Sequence, residues 1–200
     1  MRVLYFAPDG EKIAEKRLAA IAPGSAIQEQ RLPQVFQQDF RSGELRETVW
    51  ESGAWRLRYR EAESKALREV VIDDSEIDVI DAGFDAYVRK NWQALTDGSE
   101  LRFQFASPPH GRSIRLRATS LVCEPPGSAL CVRVDLAQPL LRWIAGGDIL
   151  LRYSTVDTDG VTSDKNTLVP MPRLQRFTGV SNLLDDSGEP QRLQIDYFYR

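Results

Sequence analysis

Turn signals bearing glycine or proline interrupt this chain so often that only one stretch is long enough for a substantial helix. Pro8-Asp9-Gly10, Pro23-Gly24, Glu51-Ser52-Gly53, Ser107-Pro108-Pro109-His110-Gly111, Glu124-Pro125-Pro126-Gly127, Asp157-Thr158-Asp159-Gly160 and Asp185-Asp186-Ser187-Gly188 separate short segments rich in β-formers. Within several of these segments apolar and polar residues alternate. After Gly53, Trp55, Leu57 and Tyr59 fall on one side of a period-two pattern and Arg56, Arg58 and Arg60 on the other. Such alternation marks a strand with one face buried, and the short turns specify antiparallel neighbours, roughly ten strands in all.

The period changes once. Over 81–97, Phe84, Val88, Trp92 and Leu95 recur at helical spacing, with Tyr87 widening the stripe. Asp81 is placed to cap this helix and Gly98 to end it. An isolated helix of this length is marginal in water, so it is expected to pack on a sheet. A second, shorter helix is expected over 139–145, opened by Pro139 and closed by Gly146-Gly147.

The fold predicted for 1–200 is a single, mainly β domain of α+β type. It is a curved antiparallel sheet or partial barrel with one amphipathic helix packed against it, and a two-sheet sandwich is the alternative. At 200 residues the chain can bury about 70% of its unfolded surface without a metal or covalent staple. A formal net charge of −3 argues against a nucleic-acid partner, and no stretch approaches the ~20 apolar residues of a membrane span. No cofactor motif is present: there is no P-loop, G-x-S-x-G or H-E-x-x-H.

Three segments taken together look familiar: 81–89 (DAGFDAYVR) running on to Trp92, then 101–105 (LRFQF), and 174–182 (LQRFTGVSN) before a glycine turn and a strand. They resemble a group of uncharacterised proteobacterial proteins usually made with export signals. The resemblance spans most of the chain and implies an exported protein whose leader is missing from this sequence. It carries no catalytic residue and no activity. A fold-level analogy to periplasmic half-barrels that hold lipid chains points the same way. Read without the resemblance, the strand-like run directly after Met1 fits a cytoplasmic protein or a mature exported one.

Few residues could carry chemistry. His110 is the only histidine and lies in a Pro/Gly-rich loop, so any Ser-His or Cys-His enzyme would have to use it. No catalytic residue and no metal ligand is assigned. Asp157, Asp159 and Asp164 frame a turn faintly like a calcium loop, without the further ligands such a loop requires. The acidic run Asp73, Asp74, Glu76, Asp78, Asp81 and Asp85 is read as solvating the approach to the helix. Arg56, Arg58 and Arg60 share one strand face, as do Arg115 and Arg117. They form either a basic patch for anionic groups or a solvent face neutralised by neighbouring carboxylates. Trp55, Tyr59, Phe103, Phe105, Tyr153, Phe177, Tyr197 and Tyr199 are the candidate lining of an apolar pocket, should they converge inside the curve.

Cys123 and Cys131 are the only cysteines. Strands at 114–123 and 130–136 should pair as a hairpin with Cys123 opposite Cys131, Val122 opposite Val132 and Ser120 opposite Val134, both cysteines on the more polar face. Directly opposed residues lie within disulfide range. Closing the loop would contribute about 2.6 kcal/mol in the chain-entropy model. A bond there would favour an oxidising, exported location.

The leading functional expectation is a non-catalytic periplasmic binding or carrier module for an apolar or amphiphilic small molecule. An envelope interaction protein with a filled core and an unrecognised hydrolase are the alternatives.

Overall fold

A computed structural model describes residues 1–21, 31–124, 129–137, 148–154, 172–185 and 190–198. Among them the chain is mostly β and its strands pair antiparallel, as the alternation predicts. Strands β1 (Arg2–Phe6), β2 (Lys12–Ala19), β3 (Gln34–Asp39), β4 (Leu45–Glu51), β5 (Ala54–Arg60) and β6 (Arg68–Ile72) form one six-stranded sheet in chain order. Helices α1 (Gly83–Lys90) and α2 (Trp92–Thr96) follow. Strands β7 (Leu101–Ser107), β8 (Arg112–Val122), β9 (Ala129–Leu136), β10 (Ile149–Ser154), β11 (Arg173–Leu184) and β12 (Pro190–Asp196) make a second six-stranded sheet, again in chain order. The residues group into two compact units, Met1–Tyr87 with Phe103–Arg115, and Val88–Arg102 with Leu116–Arg200.

The hairpin of β4 and β5 shows how local sequence sets the sheet. Ser52 and Gly53 both have positive φ, 54° and 79°, the backbone of a two-residue turn whose twist matches the strands it joins. Trp50 then faces Trp55, Thr48 faces Leu57 and Arg46 faces Tyr59. Trp55 and Leu57 are fully buried and pack with Leu18, Val35, Ile72, Ile77, Ile80 and Ala106 into the core of the first unit. The indole of Trp55 meets Trp50 edge-on at 5.4 Å and its Nε1 donates to Asp74 Oδ1 at 2.9 Å, so its one polar atom is satisfied inside the core. In the second unit Ala118, Val132, Val134, Leu151 and Tyr153 form the buried face, and Trp92 lies edge-on to Tyr153 at 5.5 Å.

The structure corrects the helix read over 81–97. It is broken at Asn91, whose φ of −105° and ψ of 21° leave the helical region. Asparagine competes for backbone hydrogen bonds and is a poor interior residue, which accounts for the break. Val88 and Leu95 are fully buried as the stripe predicts, whereas Phe84 and Trp92 are only half-buried. Phe84 and Tyr87 stack against Phe103 at 5.3 and 4.9 Å. Gly98, at φ 82°, ends the second helix as expected. The helix expected over 139–145 and the aspartates at 157, 159 and 164 lie outside the described residues.

The cysteine hairpin also departs from its predicted register. Cys123 and Cys131 are bonded, with Cα atoms 5.2 Å apart. Yet Cys131 stands opposite Leu121, Val122 opposite Leu130 and Ser120 opposite Val132, two residues from the predicted pairing. Cys123 lies just past the end of β8 and reaches Cys131 diagonally. The register found sets Arg117 against Asp135, with Nε 2.5 Å from Oδ1, and Leu116 against Leu136. The predicted register would have given Asp135 only Thr119. A shift of two keeps every side chain on its own face, so the apolar side survives it. Cys131 keeps the polar-side parity expected of it, as the ladder partner of Arg152, and both cysteines are nevertheless buried.

Gly83 opens α1 where the chain passes close to the backbone of Arg31. A Cβ there would overlap the backbone carbonyl of Arg31, which already accepts from Ile80 N at 2.9 Å. Alanine is the better helix former by about 1 kcal/mol, but the overlap should win. Gly83→Ala should lower stability by about 1–3 kcal/mol in urea unfolding, and a neutral or stabilising result would show that the approach is not tight.

Candidate functional site

The described aromatic candidates are divided between the two units. Trp55, Tyr59, Phe103 and Phe105 belong to the first unit, Tyr153, Phe177 and Tyr197 to the second, and Tyr199 lies outside the described residues. Trp55, Phe103 and Tyr153 are buried in packed ring contacts. Phe105 and Phe177 are half-buried and Tyr197 is exposed. Tyr59 is buried between two guanidinium groups, Arg68 at 5.2 Å and Arg46 at 6.0 Å from its ring. Burial, with Glu44 beside it, pushes its phenol up to about 12.

Tyr59 belongs to a polar row running across the first sheet on its buried face. The ladder sets Lys16 opposite Gln37, Gln37 opposite Arg46, Arg46 opposite Tyr59 and Tyr59 opposite Arg68. The cations near the middle are matched. Lys16 Nζ sits 2.9 Å from both oxygens of Asp81, and Arg46 Nη2 sits 2.7 Å from Glu44 Oε1. Burial works against the Lys16 charge, but the Asp81 carboxylate and Tyr5 outweigh it and hold the ammonium above its ordinary range. Asp81 has the left-handed φ of 43° and also accepts from Ala82 N at 2.7 Å. The acidic run therefore does more than solvate: Asp74, Asp78 and Asp81 hold Trp55 Nε1, Gln104 N and Lys16.

Two of the three arginines singled out on β5, Arg56 and Arg58, are neutralised. Arg58 reaches Glu47, Glu51 and Glu69 at 2.6–2.9 Å, which raises its pKa above the usual arginine value, and Arg56 pairs with Glu69 at 2.6 Å. Arg60 Nε donates to the Gly43 carbonyl. Arg117 pairs with Asp135, and Arg115 is exposed.

His110 ends a short 3-10 turn, 108–110, and its Nδ1 lies 2.7 Å from Ser107 Oγ. In a catalytic triad the serine bonds Nε2 while a carboxylate holds Nδ1. Here the serine takes the position of the acid, three residues away in the same turn. Desolvation, then Arg112 and Arg46, lower the ring's pKa.

A different cluster emerges on the second sheet, on the face opposite its buried residues. A groove of about 490 Å³ is lined by Arg133, Arg152, Arg176 and Arg192, one from each of β9 to β12, with Thr178 and Gln194 between them. Among the described residues two carboxylates, Glu124 and Asp148, line it as well. Arg152 stands directly opposite Arg176, and the register shifts by one residue just beyond this pair. Like charges in direct opposition cost stability, and such irregularities often re-aim side chains at sites. Arg176 bonds Asp196 at 2.5 Å in a half-exposed pair, and Arg133 lies 3.6 Å from Asp148. Among the described residues Arg152 meets no carboxylate; its Nη1 donates to the Glu124 carbonyl at 3.2 Å. Val122 and Leu150, 86% and 39% exposed, give the groove an apolar rim. None of these four arginines stood out in the sequence, because each is the ordinary polar member of its own strand.

No group of described residues is arranged to hold a metal ion, and no described helix is long and apolar enough to cross a membrane. Comparisons with protein families, curated proteins and solved structures find no match to this chain.

Removing one partner of the Lys16–Asp81 pair strands a buried charge. Lys16→Met should cost about 3–5 kcal/mol in urea unfolding, and adding Asp81→Asn should recover part of it; a double variant no better than the single would mean the charges are not coupled. NMR titration of His110 should give a midpoint below 6.5. The neutral ring is favoured by folding, so its contribution to stability is present above the unfolded value of about 6.5 and is lost as pH falls through the folded value. A midpoint at or above 6.5 would contradict the desolvated setting.

Proposed function

We propose that this chain is an exported, non-catalytic binding module that takes an amphiphilic anion in the groove of its second sheet. The observation that carries the reading is the coincidence of four arginines with two exposed apolar side chains in one concavity. Guanidinium groups recognise carboxylate and phosphate through paired donors. Val122 and Leu150 offer a hydrocarbon tail a surface that costs free energy to leave wet. The packed aromatic cores of the two units favour this open groove over an interior pocket.

The disulfide supports export, since such bonds persist in oxidising compartments. The resemblance to exported proteobacterial proteins supports the same compartment.

Calorimetry with probes of one chain length and different heads, kept below their micelle concentrations, tests the reading. Dodecyl phosphate or dodecanoate should bind, and neutral dodecyl maltoside should not. Equal binding of all three, or binding of none, would rule the proposal out.

A further inference from the structure

We propose that Arg152 and Arg176 form the seat for a phosphomonoester headgroup, so that the amphiphile held in the groove is a phosphate-headed chain and not a fatty acid. This inference rests on the reading of the groove given above and deepens it.

The geometry begins with the ladder. Arg152 and Arg176 are direct partners on neighbouring antiparallel strands, so their Cα atoms are about 4.5–5.5 Å apart. Their side chains leave the same face of the sheet, on which Arg133, Thr178, Gln194 and Arg192 also lie. Two guanidinium forks rise side by side from adjacent positions. A carboxylate can bridge two arginines, as Glu69 does between Arg56 and Arg58, but it brings two coplanar oxygens and a single charge against two. A phosphomonoester presents three terminal oxygens in a tetrahedral array and about −1.5 to −2 charges, enough to accept from two forks at once.

The present partners of the two arginines leave room for such a group. Arg152 is held by a neutral carbonyl, that of Glu124, the residue next to the disulfide-bonded Cys123. Cys131, the other half of the bond, is the ladder partner of Arg152 on β9. The root of the Arg152 side chain and its carbonyl partner are thus fixed by the same covalent link. Arg176 has Asp196, but that pair is 44% and 37% exposed, and exposed pairs of this kind contribute about 0–1 kcal/mol. A divalent anion can displace Asp196 at little cost. In the adjoining row Thr178 stands opposite Gln194, so a hydroxyl and an amide lie one step from the arginines. Leu150, the ladder partner of both Thr178 and Arg133, places apolar surface beside them for the start of the chain.

The contrast with the first sheet sharpens the assignment. There Arg60 and Arg68 also donate to carbonyls, but the directly opposed arginines, Arg2 and Arg17, share the carboxylate of Glu15, and Arg58 meets three carboxylates. Among the described residues Arg152 stands opposite Arg176 with no carboxylate of its own, and an anion supplied from outside removes the cost of that opposition.

The test compares dodecyl phosphate, dodecanoate and inorganic phosphate on the oxidised full chain by calorimetry. Dodecyl phosphate should bind at least tenfold more tightly than dodecanoate and than inorganic phosphate. Arg152→Gln and Arg176→Gln should each erase the preference over dodecanoate, with an unchanged thermal midpoint showing that the fold is intact. Arg115→Gln, on an exposed arginine outside the groove, should leave the preference as it is. Equal affinity for dodecanoate and dodecyl phosphate would overturn the phosphate seat while leaving an anion-binding groove in place. Equal affinity for inorganic phosphate and dodecyl phosphate would overturn the amphiphile. Retention of the preference in both glutamine variants would place the seat elsewhere and overturn the assignment. Binding of neither dodecyl anion would overturn both this inference and the function it rests on.

Discussion

In a meander each strand takes its register from the one before it, and a slip of one residue turns every inward side chain outward. The first sheet has six strands in succession and carries Lys16, Gln37, Arg46, Tyr59 and Arg68 in a single row on its buried face. Polar groups in such a place are tolerable only when their partners arrive with them. Glu44 comes to Arg46 from two residues away in the chain, whereas Asp81 reaches Lys16 from 65 residues along it and needs the strand to present Lys16 inward. The face that buries Trp55 and Leu57 is therefore also the face that presents Lys16 to Asp81, and a one-residue slip that turned it outward would lose both together.

The two sheets treat arginine differently, and the difference is one of charge matching. On β5, Arg56 and Arg58 lie between the glutamates of β4 and β6, where cross-strand pairing stabilises the sheet itself. On β10 and β11 the arrangement is less favourable for the isolated fold, since Arg152 faces Arg176. Like charges so placed cost the second sheet part of the stability that cross-strand pairs contribute to the first.

Much of the architecture was legible because its causes are local. The turn at Ser52 and Gly53, the alternation of Trp55, Leu57 and Tyr59, the burial of Val88 and Leu95 and the stop at Gly98 all depend on residues within a few positions of each other. Asn91 carried a signal too: an asparagine inside a helical stripe marks a place to look for a break. The cysteine hairpin was legible in its parity and not in its register, because the deciding contact, Arg117 with Asp135, competes with other pairings of equal hydrophobic quality. The groove was not legible. Arg133, Arg152, Arg176 and Arg192 are spread over four strands, and nothing within one strand says which residue on the next will face it. For the same reason the carboxylates at 74, 78 and 81 looked like a solvated run. Their donors, Trp55, Gln104 and Lys16, are distant in the chain.

Strand order that follows chain order has a further consequence, for the making of the protein. Each hydrogen-bonded ladder closes with the strand synthesised just before it, so none waits for a segment from a distant part of the chain and the entropy of closure stays low. A polypeptide delivered with its amino terminus first, whether from a ribosome or through a membrane pore, can add strands in the order in which they emerge. The first six-stranded sheet is complete when residue 72 has emerged, before any strand of the second exists. Assembly of this kind proceeds by extension, each new strand capping the exposed edge left by the last and leaving little time for that edge to recruit a stranger.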